Sequence, residues 1–149
     1  MNFRLIQCDI TGAPVEPIEN LAPALVEVFG VTATYFESVG YIPPWVGYLA
    51  VADGVAVGAG AFKGPPKSSK VEIAYYTLPE FQNRGFGAET ARQLVDIAHA
   101  ATPAVQVIAQ TLPTPSASTS ILQKLGFRNV GTIDHPEDGP VWEWCLERG

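Results

Sequence analysis

Between residues 71 and 101 the hydrophobic pattern changes period. Val71 to Leu78 is apolar apart from Glu72 and Thr77, which reads as a strand. Beyond a polar turn, Ala91, Leu94, Val95, Ala98 and Ala101 recur at helical spacing, while Glu89, Arg92, Gln93 and Asp96 fall elsewhere on the wheel. Arg92 and Asp96 stand four apart and can pair. Pro103 stops the helix. A short apolar run over 104–110, bounded by prolines, follows as a buried strand, and strand–helix–strand in this order favours parallel pairing with 71–78.

Upstream, Trp45–Ala52 and Val55–Phe62 are apolar runs split by Asp53-Gly54, a two-residue hairpin signal. The loop over 64–70 leads into 71–78, which becomes the third strand of an antiparallel meander. Residues 3–8 read as a first strand. Leu21, Leu25, Val28 and Phe29 have helical spacing with Gly30 as a stop, and a second short helix covers Thr32 to Val39. Tyr35, Phe36, Tyr41 and Trp45 surround Pro43-Pro44, either as core or as the wall of an acceptor pocket. Thr114-Pro115 resembles an N-cap with proline at the first helical position. Ala117, Ile121 and Leu125 share a face of that helix, and Gly126 ends it. Residues 127–133 and 141–146 form a last hairpin, with Trp142, Trp144 and Leu146 on one face.

One domain over 1–149 accommodates these elements, and the length suffices for a core without staples. A net charge of −6 argues against a nucleic-acid binder and gives no purchase on an anionic membrane. Cys8 and Cys145, the only cysteines, make no disulfide framework or metal motif and read as small buried residues. With neither a leader nor a long apolar run, the expected location is cytoplasmic.

The polar turn carries the chemistry: Gln82-Asn83-Arg84-Gly85-Phe86-Gly87-Ala88. Its glycines let a ligand approach the backbone, and the helix behind it offers unpaired N–H groups and a positive dipole end. A phosphate or diphosphate suits such a place. No Walker lysine follows the glycines, and Thr90 stands where a dinucleotide fingerprint needs a third glycine.

Gln82-x-x-Gly85-x-Gly87 resembles the acetyl-CoA loop of the GCN5-related N-acetyltransferases. Two more stretches support the resemblance. Ser116 to Phe127, ending Lys124-Leu125-Gly126-Phe127, is similar to the family's second motif. Val71-Glu72-Ile73-Ala74-Tyr75 is similar to the central strand of members that acetylate ribosomal-protein N-termini. Together they span about residues 45–146. The resemblance implies an α+β fold, a three-layer sandwich whose mixed, mostly antiparallel sheet of about seven strands has helices on both faces. It implies acetyl-CoA as cosubstrate without a metal, and a primary amine as acceptor, on a small molecule or a peptide N-terminus. A homodimer is reasonable.

The resemblance assigns the cofactor to Gln82, Asn83, Arg84, Gly85, Phe86, Gly87 and Ala88, to Tyr76, Thr77 and Leu78 beside the pantetheine arm, and to Ser116 and Ser118. Two positions depart from the pattern. Pro115 replaces an asparagine, and Leu122 replaces the tyrosine that protonates the leaving thiolate in many members. A catalytically silent acyl-CoA sensor on the same fold is the alternative these departures raise. Glu72, on an otherwise apolar strand, is the candidate general base; its other reading is a strand-end partner for Lys70 or Lys63.

Overall fold

The computed structural model describes residues 2–146. In chain order these are β1 (Phe3–Gln7), α1 (Pro23–Val39), β2 (Gly47–Ala52), β3 (Val55–Phe62), β4 (Lys70–Thr77), a 3₁₀ turn (Pro79–Phe81), α2 (Phe86–Ala101), β5 (Gln106–Thr111), α3 (Ala117–Lys124), β6 (Arg128–His135) and β7 (Gly139–Leu146). The strands form a single sheet in the order β1-β2-β3-β4-β5-β7-β6. Every neighbouring pair is antiparallel except β4 with β5.

Cross-strand register decides what each face carries. Leu49 pairs with Ala59, and Ala59 with Tyr76; this face packs on α1 through Leu25. One residue over, Gly60 pairs with Tyr75. A side chain at Gly60 would strike Thr90 and Leu94, so this second face carries α2. Ala91, Leu94 and Ala98 are fully buried there against Ile73, Val107 and Leu122 of α3. Helices therefore cover both faces.

Three local readings need correction. Gly30 does not stop a helix: α1 is continuous for 17 residues and the chain turns at Gly40, where φ is +86°. A mid-helix glycine costs about 1 kcal/mol. Leu25 and Phe36, buried on either side of it, each return more than that, at about 1.5–3 kcal/mol. The N-cap of α3 is Ser116, two residues after Thr114, because Ser116 and Thr119 form a reciprocal capping box. The strand read over 104–110 lies at Gln106–Thr111. No helix among the described residues is long and apolar enough to cross a membrane.

Candidate active site

The parallel pairing of β4 with β5 is short. Lys70, Val71 and Glu72 have partners at Gln106, Val107 and Ile108; from Ile73 onward β4 has none on that side. The Lys63 N–H donates to the Glu72 carbonyl at 2.9 Å, so the backbones of Glu72, Ala74 and Tyr76 turn towards β3. By alternation the backbone groups of Tyr75 and Thr77, beyond the last bridge at Glu72, turn into the gap between the diverging strands. Burying such groups unpaired would be costly, and a second extended chain laid in the gap could pair with them.

A groove of about 560 Å³ opens at this divergence. That volume lies within the usual range of small-molecule sites, about 300–1,000 Å³. Tyr75, Tyr76 and Thr77 form one wall, and the 82–88 turn closes one end. Ala117, Ser118, Ser120, Ile121 and Lys124 of α3 form the opposite wall.

The two helices that meet here end differently. The mouth of α3 is closed by its own capping box. The mouth of α2 has Gly85 as N-cap and no side-chain cap. Gly85 sits at φ +84°, a conformation that disfavours any residue with a Cβ. Gly87 matters for a different reason: a Cβ there would lie 2.9 Å from Ile121 Cδ1 and 3.3 Å from Thr77 Oγ1, so the helix start and the groove walls are already in close contact. The first-turn amides of α2 thus face the groove without competition, which fits a diphosphate. Lys124 adds a cation to the opposite wall. Thr90, in place of a third glycine, serves packing: it is 2% exposed and its hydroxyl donates to the Phe86 carbonyl at 2.8 Å.

Of the residues assigned to the cofactor, Tyr76, Thr77, Gln82, Asn83, Gly85, Gly87, Ala88 and Ser118 line this groove. Gln82 also ties the turn back to β4, its amide donating to the Thr77 carbonyl at 3.2 Å. Four assigned residues do not line it. Leu78 is buried, with its N–H donated to the Val57 carbonyl at 2.9 Å. Phe86 packs between Phe3 and Phe81. The Arg84 guanidinium lies over the Phe81 ring, 5.6 Å from its centroid. The Ser116 hydroxyl is occupied in capping α3.

Tyr75, Ala117, Ser120, Ile121 and Lys124 line the groove but were not assigned from the sequence. For α3 the signal was present in helical spacing: 117, 120, 121 and 124 fall on one face. Tyr75 is the consequential omission. Its hydroxyl donates to the Ser118 carbonyl at 3.3 Å, and burial pushes its pKa up to about 12, against an opposing contribution from the Ser118 side chain.

Glu72 lies on the α1 face of β4, in alternation with Ala74 and Tyr76. Its carboxylate pairs with Lys63 Nζ at 3.0 Å and does not line the groove. Glu89, in the first turn of α2, is held below the usual carboxylate range, chiefly by its hydrogen bond from Arg92. It is thus a fixed anion, with a helix-stabilising role rather than that of a base. Leu122 is fully buried.

Residues 30–128 match the family model of the acetyltransferase (GNAT) domain. That is well over half the chain, and the chain belongs to this family. No curated protein matches it in sequence. Among solved structures, the chain is similar to RimL, the ribosomal L7/L12 alpha-N-protein acetyltransferase, at 14% identity and TM-score 0.68, over 96% of this chain and 91% of that one. It is also similar to yncA from Salmonella typhimurium, solved with its cofactor acetyl-CoA, at 17% identity and TM-score 0.65, over 99% and 94%. A third likeness, at 20% identity and TM-score 0.60, is to an aminoglycoside acetyltransferase in complex with coenzyme A and kanamycin. It covers 69% of this chain and 66% of that one, so the chain spans just under two thirds of that protein's length. At these identities the likenesses establish the fold.

Proposed function

We propose that this chain transfers an acetyl group from acetyl-CoA to a primary amine. The observation that carries the reading is the uncapped, glycine-led mouth of α2 at the point where β4 and β5 part. Amides of Gly85 to Ala88, with Lys124 opposite, hold the diphosphate. Backbone groups of Tyr75 and Thr77 pair with the pantetheine arm as a neighbouring strand would, and an N–H here polarises the carbonyl to be attacked. Acetyl-CoA supplies the activated acyl group. In the transfer a nitrogen–carbon bond forms, the carbon–sulfur bond breaks, the nitrogen sheds a proton and the sulfur gains one.

Tyr75 takes over part of the role that Leu122 cannot perform. A thiol titrates near about 8.5, whereas the Tyr75 phenol titrates at about 12. Full proton transfer from Tyr75 to a thiolate therefore runs uphill by roughly 5 kcal/mol. Donating a hydrogen bond to the departing sulfur carries no such penalty and contributes about 1.5–3 kcal/mol to a charged acceptor. Water delivers the proton. Tyr75→Phe should lower kcat by about 10- to 100-fold with acetyl-CoA affinity unchanged. An unaltered kcat would remove Tyr75 from the mechanism.

Glu72 is the proposed acceptor of the amine proton, reached through water, since it lies on the same face as Ala74 and two residues away along β4. Glu72→Gln, compared with wild type across pH, tests this. If the variant keeps the wild-type rate at every pH, and kcat/KM simply follows the neutral fraction of the amine, Glu72 has no catalytic part.

The function itself is tested by titrating acetyl-CoA in a calorimeter and following free-thiol release with a panel of amines. Binding with release supports the transferase. Binding without release from any amine identifies an acyl-CoA sensor. No binding at high micromolar concentration overturns both.

A further inference from the structure

A second cavity, of about 150 Å³, lies on the other face of β4. Val28, Phe29 and Thr32 of α1 roof it, and Ala59, Ala61 and Ala74 lie beneath. Register explains the space. Ala61 pairs with Ala74 and Ala59 with Tyr76, so small side chains sit together where the sheet faces α1. At these three positions only methyl groups project towards α1, and the gap they leave is bordered by Tyr76 and Cys8.

The lining chemistry is one-sided. None of the described residues that line this cavity is an Asp, Glu, Lys, Arg or His. Cys8 lines it too, and burial pushes that thiol up to about 12, with the Asp9 charge adding to the shift. The cavity therefore offers no anion to an ammonium group and no cation to a carboxylate. Charge placed there would lose its water without a partner.

Its position matters as much as its chemistry. Tyr75 and Tyr76 line both this cavity and the groove assigned to acetyl-CoA. The two spaces thus adjoin at the last turns of β4, where the reacting carbonyl would be polarised. An apolar group seated in the smaller cavity would carry an attached nitrogen to that rim.

We propose that this cavity selects the acceptor: the amine acetylated here bears an uncharged apolar group, of about benzene or leucine side-chain size, held between α1 and the three alanines. The inference rests on the acetyltransferase reading of the adjoining groove. A further ammonium gains nothing from the cavity by the same argument, since no lining carboxylate meets it and Glu72, two residues along the same face, is already held by Lys63.

The amides of leucine, glycine and lysine test it, each titrated by calorimetry into protein saturated with coenzyme A. Burying a four-carbon side chain at about 0.8 kcal/mol per carbon sets a ceiling of roughly 200-fold. Leucinamide should bind at least about tenfold more tightly than glycinamide, and lysinamide no better than glycinamide. Ala74→Leu should bring leucinamide down to the glycinamide level while coenzyme A affinity holds. Ala61→Val, a smaller intrusion, should do the same in part and guards against loss of fold. Equal binding of all three amides, or tighter binding of lysinamide, overturns the inference and leaves the acetyltransferase reading standing. Should coenzyme A itself fail to bind, that reading falls, and the same three amides titrated into the bare protein judge the cavity separately.

Discussion

Gly87→Leu is expected to weaken acetyl-CoA binding at least about 100-fold while the protein stays folded. At this position a single added carbon already lies 2.9 Å from Ile121 Cδ1 and 3.3 Å from Thr77 Oγ1. Both residues are groove walls. A leucine side chain must therefore either occupy the groove or push α3 away from α2. In either case the diphosphate loses its close approach to the first-turn amides. Two charge-assisted hydrogen bonds lost, at about 1.5–3 kcal/mol each, give more than a 100-fold change.

Gly85→Ala separates the two glycines. No atom lies within 4 Å of a Cβ built at Gly85, so the penalty there is the left-handed φ alone. At about 1–2 kcal/mol it should appear mainly as lower stability, and as a loss of affinity no greater than about 30-fold. Calorimetry with acetyl-CoA, beside circular dichroism of each variant, distinguishes them. Affinity of Gly87→Leu within threefold of wild type would mean that the diphosphate lies elsewhere.

The meander, the βαβ crossover and the phosphate turn are legible because each is written locally. Asp53-Gly54 fixes a hairpin, the period changes after Gly87, and Pro103 closes α2. Non-local decisions are not written this way. Gly30 reads as a stop in sequence; Leu25 and Phe36, packed on either side of it, carry the helix through. Thr114 reads as the cap in sequence, and the reciprocal bonds between Ser116 and Thr119 put the cap two residues later. Likewise, Tyr76, Thr77 and Leu78 form one stretch in sequence, but pairing with β3 gives the gap to Tyr75 and Thr77 and commits Leu78 to Val57. For Glu72 the sequence offers Lys70 or Lys63 as a partner, and the turn through 63–70 decides for Lys63. The 150 Å³ cavity has no signature in sequence at all, since alanines in adjacent strands become neighbours only through register.

Register also buries three protons, and these set the protein's behaviour in alkali. Burial pushes the Cys8 thiol from 9.0 to about 12, and the Tyr48 and Tyr75 phenols from 10.0 to about 12. Tyr41 and Cys8 nearby add to the shift at Tyr48. Between pH 9 and 12 for the thiol, and 10 and 12 for the phenols, the folded chain keeps protons that the unfolded chain has released. Stability then falls as pH rises, by up to about 1.4 kcal/mol per pH unit for each group inside its window. Below pH 9 the three groups contribute no slope. By pH 12 the three slopes together remove up to about 9 kcal/mol, comparable with the total stability of a single domain, about 5–15 kcal/mol. Urea midpoints at pH 7, 9 and 11 should be level over the first interval and drop steeply over the second. Other groups titrate in the same range, so the decisive comparison is Tyr48→Phe. That variant loses the bond from the Tyr48 hydroxyl to the Pro44 carbonyl, 2.7 Å long, and starts less stable. It should nevertheless decline with a slope one proton shallower than wild type between pH 10 and 12. Parallel declines would mean that Tyr48 ionises freely in the folded state, and that the sheet face beneath it is wetter than its packing against Phe62 and Trp45 implies.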